Sequence, residues 1–171
     1  PSRGEVVVFN RSHYEDVLAV KVHPEYMEQL PSELSVAQNK KFWQERYEDI
    51  NAFERHLARS GIVVLKFFLH ISKDEQKNRL LERLTIEDKY WKVSPADLKE
   101  RQFWDDYTGA YEDLLSVTGH EHAPWIVVPA NDKKIARAIV AQVIADAING
   151  LDIDFPKLSN EEIAELKQSK L

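Results

Sequence analysis

Cysteine is absent from the 171-residue chain, which removes disulfides and thiolate metal centres and suits a reducing compartment. The cytoplasm is therefore the expected location. Glycine is scarce: five residues stand singly at positions 4, 61, 109, 119 and 150, so no glycine-rich loop that could wrap backbone amides around phosphates is present. No run of about 18 apolar residues occurs, and no basic amino-terminal segment leads into an apolar one, so no membrane partner is expected. Positive charge is in deficit, with 23 Lys and Arg against 29 Asp and Glu and a net charge of -6. That balance supplies no overall field to draw nucleic acid or an anionic membrane, and any anion site must be built locally.

What the chain does have is enough apolar content, 43%, for the core of about one domain. Strand-like and helical patterns alternate along it. Val6–Phe9 is an unbroken β-branched and aromatic run and reads as a short buried strand. A helix is expected from about Tyr14 to His23, stopped by Pro24, with a loop or short irregular helix over 24–37. Trp43, Tyr47, Ile50, Phe53 and Leu57 recur at helical spacing, which predicts a long amphipathic helix from Ala37 to Arg59, ended by Gly61.

The run "IVVLKFFLHIS" reads as a second buried strand. Ser72 with Glu75 predicts a reciprocally capped helix to about Leu84, and "SPAD" restarts a helix that should run from 95 to about 116. "PWIVVPA" reads as a third strand, 132–148 as a closing helix, and "LSNEEI" as the start of a capped polar tail helix. This order predicts a parallel α/β sheet with a helical insertion before its last strand, and such sheets place ligands at the carboxyl ends of their strands. The polar cluster "NRSHYED", directly after the first strand, falls at such an end.

Those residues, read with "FFLHISKDEQKNRLLERL", "DKYWKVSPADLKERQFWDDYTGAYEDLL" and "HEHAPWIVVPANDKKIARAIV", resemble the polyphosphate kinase 2 family over roughly residues 4–148. The resemblance implies a P-loop kinase-like three-layer α/β fold, with residues 1–150 as the phosphotransferase domain, 72–116 as its helical lid and 151–171 as a tail. It implies transfer of a phosphoryl group between inorganic polyphosphate and nucleoside mono- or diphosphates, with Mg2+, in a homo-oligomer. Asn10 and Arg11 match the family's Walker B region, where a carboxylate is more usual than the amide of Asn10. Tyr14 and Glu15 follow as nucleotide-binding candidates, and Asn10 and Glu15 as candidate metal ligands. Arg83 matches the arginine that the lid brings to the phosphates.

The insertion between Lys73 and Arg101 carries eight basic residues against seven acids. Arg79 and Arg83 lie four apart on one helical face, directed toward the gap that holds Lys89 and Lys92, so all four are candidates for phosphate binding. Lys73, Lys77 and Lys99 read more simply as surface ion-pair partners. Tyr90 and Trp91 read as packing, Trp104, Tyr107 and Tyr111 as core, His70 as a structural histidine, and His120 with His122 as a pair without a third metal ligand. Because a P-loop enzyme needs a phosphate-cradling loop, the natural protein is expected to be longer at its amino-terminus, with that loop's strand lying between 6–9 and 62–69. The 171 residues alone are then expected to lack transferase activity. Two alternatives stay open: an ATP-dependent nucleotide kinase of the same architecture, and a degenerate nucleotide-binding member, for which Asn10 would be natural.

Overall fold

The computed structural model describes residues 1–27, 40–92, 94–151, 153–155 and 157–169. The chain enters through an irregular stretch into helix α1 (Glu15–Val22), a 3-10 turn (Pro24–Met27) and helix α2 (Lys40–Arg59). The expected beginning of α2 at Ala37 and the rest of 28–39 lie outside the described residues. Strand β1 (Lys66–His70) leads to α3 (Lys73–Thr85), a 3-10 turn (Glu87–Lys92), α4 (Pro95–Glu100), a 3-10 turn (Arg101–Phe103) and α5 (Trp104–Thr118). Strand β2 (Trp125–Pro129), α6 (Lys133–Asn149) and α7 (Asn160–Gln168) complete the order.

β1 and β2 pair in parallel, Lys66 opposite Trp125 through His70 opposite Pro129. Because successive strand residues face opposite sides, the pair is covered on both. Phe67 and Ile71 pack with Ile126, Val128 and Ala130 against Ala136, Ile139 and Val140 of α6. On the other side Tyr14, Val17, Leu18, Trp43, Tyr47, Ile50, Ala110 and Leu114 gather α1, α2 and α5 into the main core. The result is the expected three layers. The exception is Val6–Phe9, which joins no sheet, and Val6, Val8 and Phe9 are largely exposed. An apolar β-branched run suits a strand, yet a strand exists only through a neighbour's amides and carbonyls, and neither described strand lies alongside it.

Local signals set the boundaries. Gly61 takes φ +82 after α2, and Ile62 N donates to Leu57 O at 3.0 Å, a left-handed closure that glycine accepts without a Cβ penalty. Ser94 and Asp97 form a capping box on α4 with Pro95 in the first turn. Ser72 caps α3 by accepting from Glu75 N at 3.2 Å. The expected reciprocal bond is replaced: Ser72 N donates to Asn131 Oδ1 at 2.9 Å, and the Glu75 carboxylate turns to Arg79 Nε at 2.7 Å. The single helix expected over 95–116 is broken at Arg101–Phe103. There Arg101 Nη1 donates to Lys73 O at 2.8 Å and Gln76 Oε1 at 2.6 Å, while Phe103 packs edge-on to His23. These contacts hold the bend.

A buried polar knot joins the layers. Lys66 Nζ donates to Glu54 Oε2 at 2.6 Å, Thr118 O at 2.8 Å and the Tyr14 hydroxyl at 2.9 Å. Tyr14 in turn donates to Glu54 Oε1 at 2.7 Å, and Trp125 Nε1 donates to Thr118 Oγ1 at 2.9 Å. Burial lowers the Lys66 pKa, with Glu54 pulling it back; the Glu54 carboxyl, although buried, is held below its usual range by His13, Lys66 and Tyr14. We predict that Glu54→Leu lowers stability by about 3–5 kcal/mol by stranding the lysine charge, and that adding Lys66→Met restores most of the loss. Urea unfolding of both variants checks this; a double variant as unstable as the single one refutes the charge-pairing account.

Candidate functional site

β1 and β2 end at an open cleft of about 360 Å³ lined by His70, Ser72, Pro129, Ala130, Asn131, Asp132 and Ile135. Its floor is fixed by the strands' own continuation. Ala130 N donates to His70 O at 2.8 Å, Asn131 bonds the backbone and hydroxyl of Ser72, and Asp132 caps α6 by accepting from Lys134 N and Ile135 N. Two helix starts, those of α3 and α6, therefore meet at the sheet end.

The polar cluster after residues 6–9 sits beside the other face of β1. Arg11 has φ 73, a left-handed backbone that costs a non-glycine residue about 1 kcal/mol or more, and its guanidinium pairs with Glu15 Oε1 at 3.5 Å. Asn10 is exposed. Tyr14, expected at a nucleotide, is instead buried: its hydroxyl belongs to the knot and its ring meets Trp125 edge-on. Burial and then the Glu54 carboxylate push that phenol far above its ordinary value, so it stays a neutral donor. Glu15 is half-buried near α5, where burial, and after it the Glu15 charge, raise the Tyr111 pKa while Arg11 opposes them.

The basic residues of the insertion divide sharply. Arg79 is engaged internally, with Nε on Glu75 at 2.7 Å and Nη2 on the carbonyls of Ala130 at 2.5 Å and Asn131 at 3.0 Å. Lys89 pairs with Glu82 at 2.6 Å, which holds that glutamate below its usual pKa. Lys92 lies 4.9 Å from the ring centre of Trp91, itself 79% exposed rather than packed. Arg83 has only loose partners, Lys92 O at 3.4 Å and Asp97 Oδ2 at 4.0 Å. The structure thus brings Arg83, Lys89 and Lys92 to one turn and places Arg79 at the sheet end.

Of three residues near the site, Tyr111 was read from sequence as core and His70 as a structural histidine, and Phe68 was not singled out. Phe68 stacks on Tyr111 with ring centres 4.4 Å apart, and His70 follows at 5.5 Å from Phe68. Period two along β1 was the available signal, since Lys66, Phe68 and His70 share one face, running from the buried knot to the strand end. Among the described residues no group of three or more His, Asp or Glu side chains is arranged to hold a metal ion. Asn10 and Glu15 offer one amide oxygen and one carboxylate, a sparse set that fits an ion keeping most of its water and sharing substrate phosphates.

Parallel strands with helices on both faces, a cleft at their carboxyl ends and a charged helical excursion between them define an α/β protein of the P-loop kinase-like type. The chain belongs to the polyphosphate kinase 2 family, whose model matches residues 1–156. It is 47% identical over 170 residues to the ADP-polyphosphate phosphotransferase of Rhodopseudomonas palustris, covering 99% of this chain and 59% of that protein. To the AMP/ADP-polyphosphate phosphotransferase of Meiothermus ruber it is 45% identical over 157 residues, covering 92% and 54%. The crystal structure of polyphosphate kinase 2 from Arthrobacter aurescens TC1 matches with a TM-score of 0.83 at 43% identity, covering 99% of this chain and 56% of that one. The chain therefore spans a little over half the length of these relatives.

The two arginines separate experimentally. Arg79→Ala strips two strand-end carbonyls of their donor and should lower stability by about 1–3 kcal/mol, whereas Arg83→Ala should change it by no more than about 0.5 kcal/mol. Thermal or urea unfolding reads both, and equal losses would refute the division.

Proposed function

We propose that the protein is a polyphosphate-dependent nucleotide phosphotransferase, moving a phosphoryl group between inorganic polyphosphate and a nucleoside mono- or diphosphate in the cytoplasm. The supporting names are those of relatives at 45–47% identity, which act on ADP or on AMP and ADP with polyphosphate. The observation that carries the reading is Arg83: a half-exposed guanidinium without a tight internal partner, on a helical insertion rooted at the strand-end cleft. Phosphoryl transfer requires mainly alignment and positive charge at the transferring group, which such a residue supplies on closure.

In this reading residues 72–116 act as the lid of a domain covering 1–150, with 151–171 as a tail, and the protein works as a homo-oligomer. Arg83, Lys89 and Lys92 bind phosphates. Lys89 must exchange Glu82 for substrate oxygens, while Arg79 contributes by holding the sheet end rather than by leaving it. Arg11 and Asn10 lie at the transferring end, with Glu15 setting the charge beside them and Tyr14 fixing the start of the helix that follows them. Mg2+, held by Asn10 or Glu15 together with substrate phosphates, would neutralise charge on the phosphate oxygens. Asn10 lacks the charge of a carboxylate and so favours a weak, substrate-dependent ion, and also sustains the reading of a non-catalytic nucleotide binder.

The test, made on the full-length protein, is transfer to ADP and to AMP with polyphosphate as donor, then with ATP as donor in its absence. Transfer from polyphosphate, reduced about 10³-fold or more in Arg83→Ala, is expected. Activity with ATP alone assigns a conventional nucleotide kinase instead, and nucleotide binding without transfer assigns the non-catalytic reading.

A further inference from the structure

His23 lies between α1 and the bend where the insertion returns to α5, and it is 5% exposed. Its Nδ1 is 3.0 Å from Glu25 Oε1 and its Nε2 is 3.0 Å from Glu100 Oε2. Ionised carboxylates only accept hydrogen bonds, so with both glutamates charged each ring nitrogen must carry a proton and the ring must be an imidazolium. The surroundings suit that charge. Glu25 and the Tyr26 ring face it from its own segment, Glu100 from the last residue of α4, Phe103 from the bend, and Tyr107 from α5. Tyr107 donates to the same Glu100 oxygen at 3.1 Å, and burial together with Glu100 pushes its pKa well up, keeping it a donor. The other cation of this helix end, Lys21, is committed to Asp113 and Tyr47.

We propose that His23 is a charged clasp that fixes the base of the helical insertion to α1, and that loss of its proton loosens Pro95–Tyr107 from that helix. Neither the ring nor Glu100 belongs to the candidate phosphate-binding set; His23 acts through Glu100 as a positioning residue. Burial opposes the imidazolium, but Glu100 and Glu25 outweigh it and hold the pKa above the ordinary 6.5. The sign follows: the clasp is complete below about 6.5 and is lost as pH rises through the higher folded-state value. The companion Glu25 carboxyl is held low, first by its own backbone amide and then by His23, so its side of the clasp fails only in acid.

Two measurements on the whole chain test this without reading phosphoryl transfer, so they stand apart from the proposed activity. Side-chain 15N shifts of His23 report the charge on each ring nitrogen, and amide hydrogen-exchange protection across 95–107 reports the attachment of the insertion. Between pH about 6 and about 9, both nitrogens should begin protonated and titrate above 6.5, with protection falling roughly ten- to a hundredfold along the same curve. Glu100→Gln should move the midpoint down toward 6.5, and His23→Gln should give low protection without that pH dependence. A neutral ring at pH 6, or protection that ignores the ring's titration in the unaltered chain, overturns the proposal even where a variant fails to fold.

Discussion

A lysine ammonium buried at the head of a strand governs the rest of the molecule. Removing such a charge from water costs several kcal/mol, and only a full set of acceptors offsets it. Lys66 has three protons and three acceptors, one from α2, one from the entry to α1 and one from the end of α5. Each acceptor belongs to a different element, so the ammonium is satisfied only when all of them have docked. The ion pair adds little as a reservoir of stability compared with well-packed apolar residues, but it specifies a single arrangement. That arrangement places the Asn10–Arg11 turn, because Tyr14 is tied down within one helical turn of it.

The same logic explains why equivalent-looking cations differ at the site. Arg79 and Arg83 share a helical face in the sequence, yet Arg79 finds carbonyls at the end of β2, where strand polarity leaves acceptors unpaired, and so becomes part of the scaffold. Arg83 lies one turn further along α3, beyond reach of the sheet, and meets only a distant carbonyl and a carboxylate at 4.0 Å. A polyanion competes easily with contacts of that length, since bidentate charge-assisted bonds to phosphate are both shorter and stronger.

Legibility followed the range of the interaction. Helices α1, α2, α3 and α6, the Gly61 closure and the Ser94 cap are governed by residues a few positions apart, and they were readable. The bend at Arg101–Phe103 was not, because its cause is a guanidinium reaching back to α3 across 28 residues. Val6–Phe9 shows the converse: its composition suits a strand, but pairing depends on a neighbour that composition does not supply. At the candidate site, Arg83, Lys89 and Lys92 could be singled out because a run of charge around helical spacing is visible in sequence, and the structure gathers them at one turn. Tyr14 was misplaced toward the ligand because a polar aromatic next to a motif looks the same whether its hydroxyl meets a substrate or, as here, Glu54 and Lys66 from elements 40 and 52 residues away.

Helix α1 then has a role that its eight residues conceal. At about 1.5 Å per residue it is only some 12 Å long, yet both ends are held by charge: the amino end through Tyr14 in the Lys66–Glu54 knot, the carboxyl end through His23 to Glu100. Val17 and Leu18 between them are buried in the main core, so the helix cannot roll without opening that core. A displacement at the base of the insertion is therefore not absorbed along α1 but arrives at Glu15, whose charge is felt at Tyr107 and Tyr111 and which pairs with Arg11. The strained backbone of Arg11 stands at the far end of that rod, and its orientation is set by a helix whose other end is fastened to the base of the insertion.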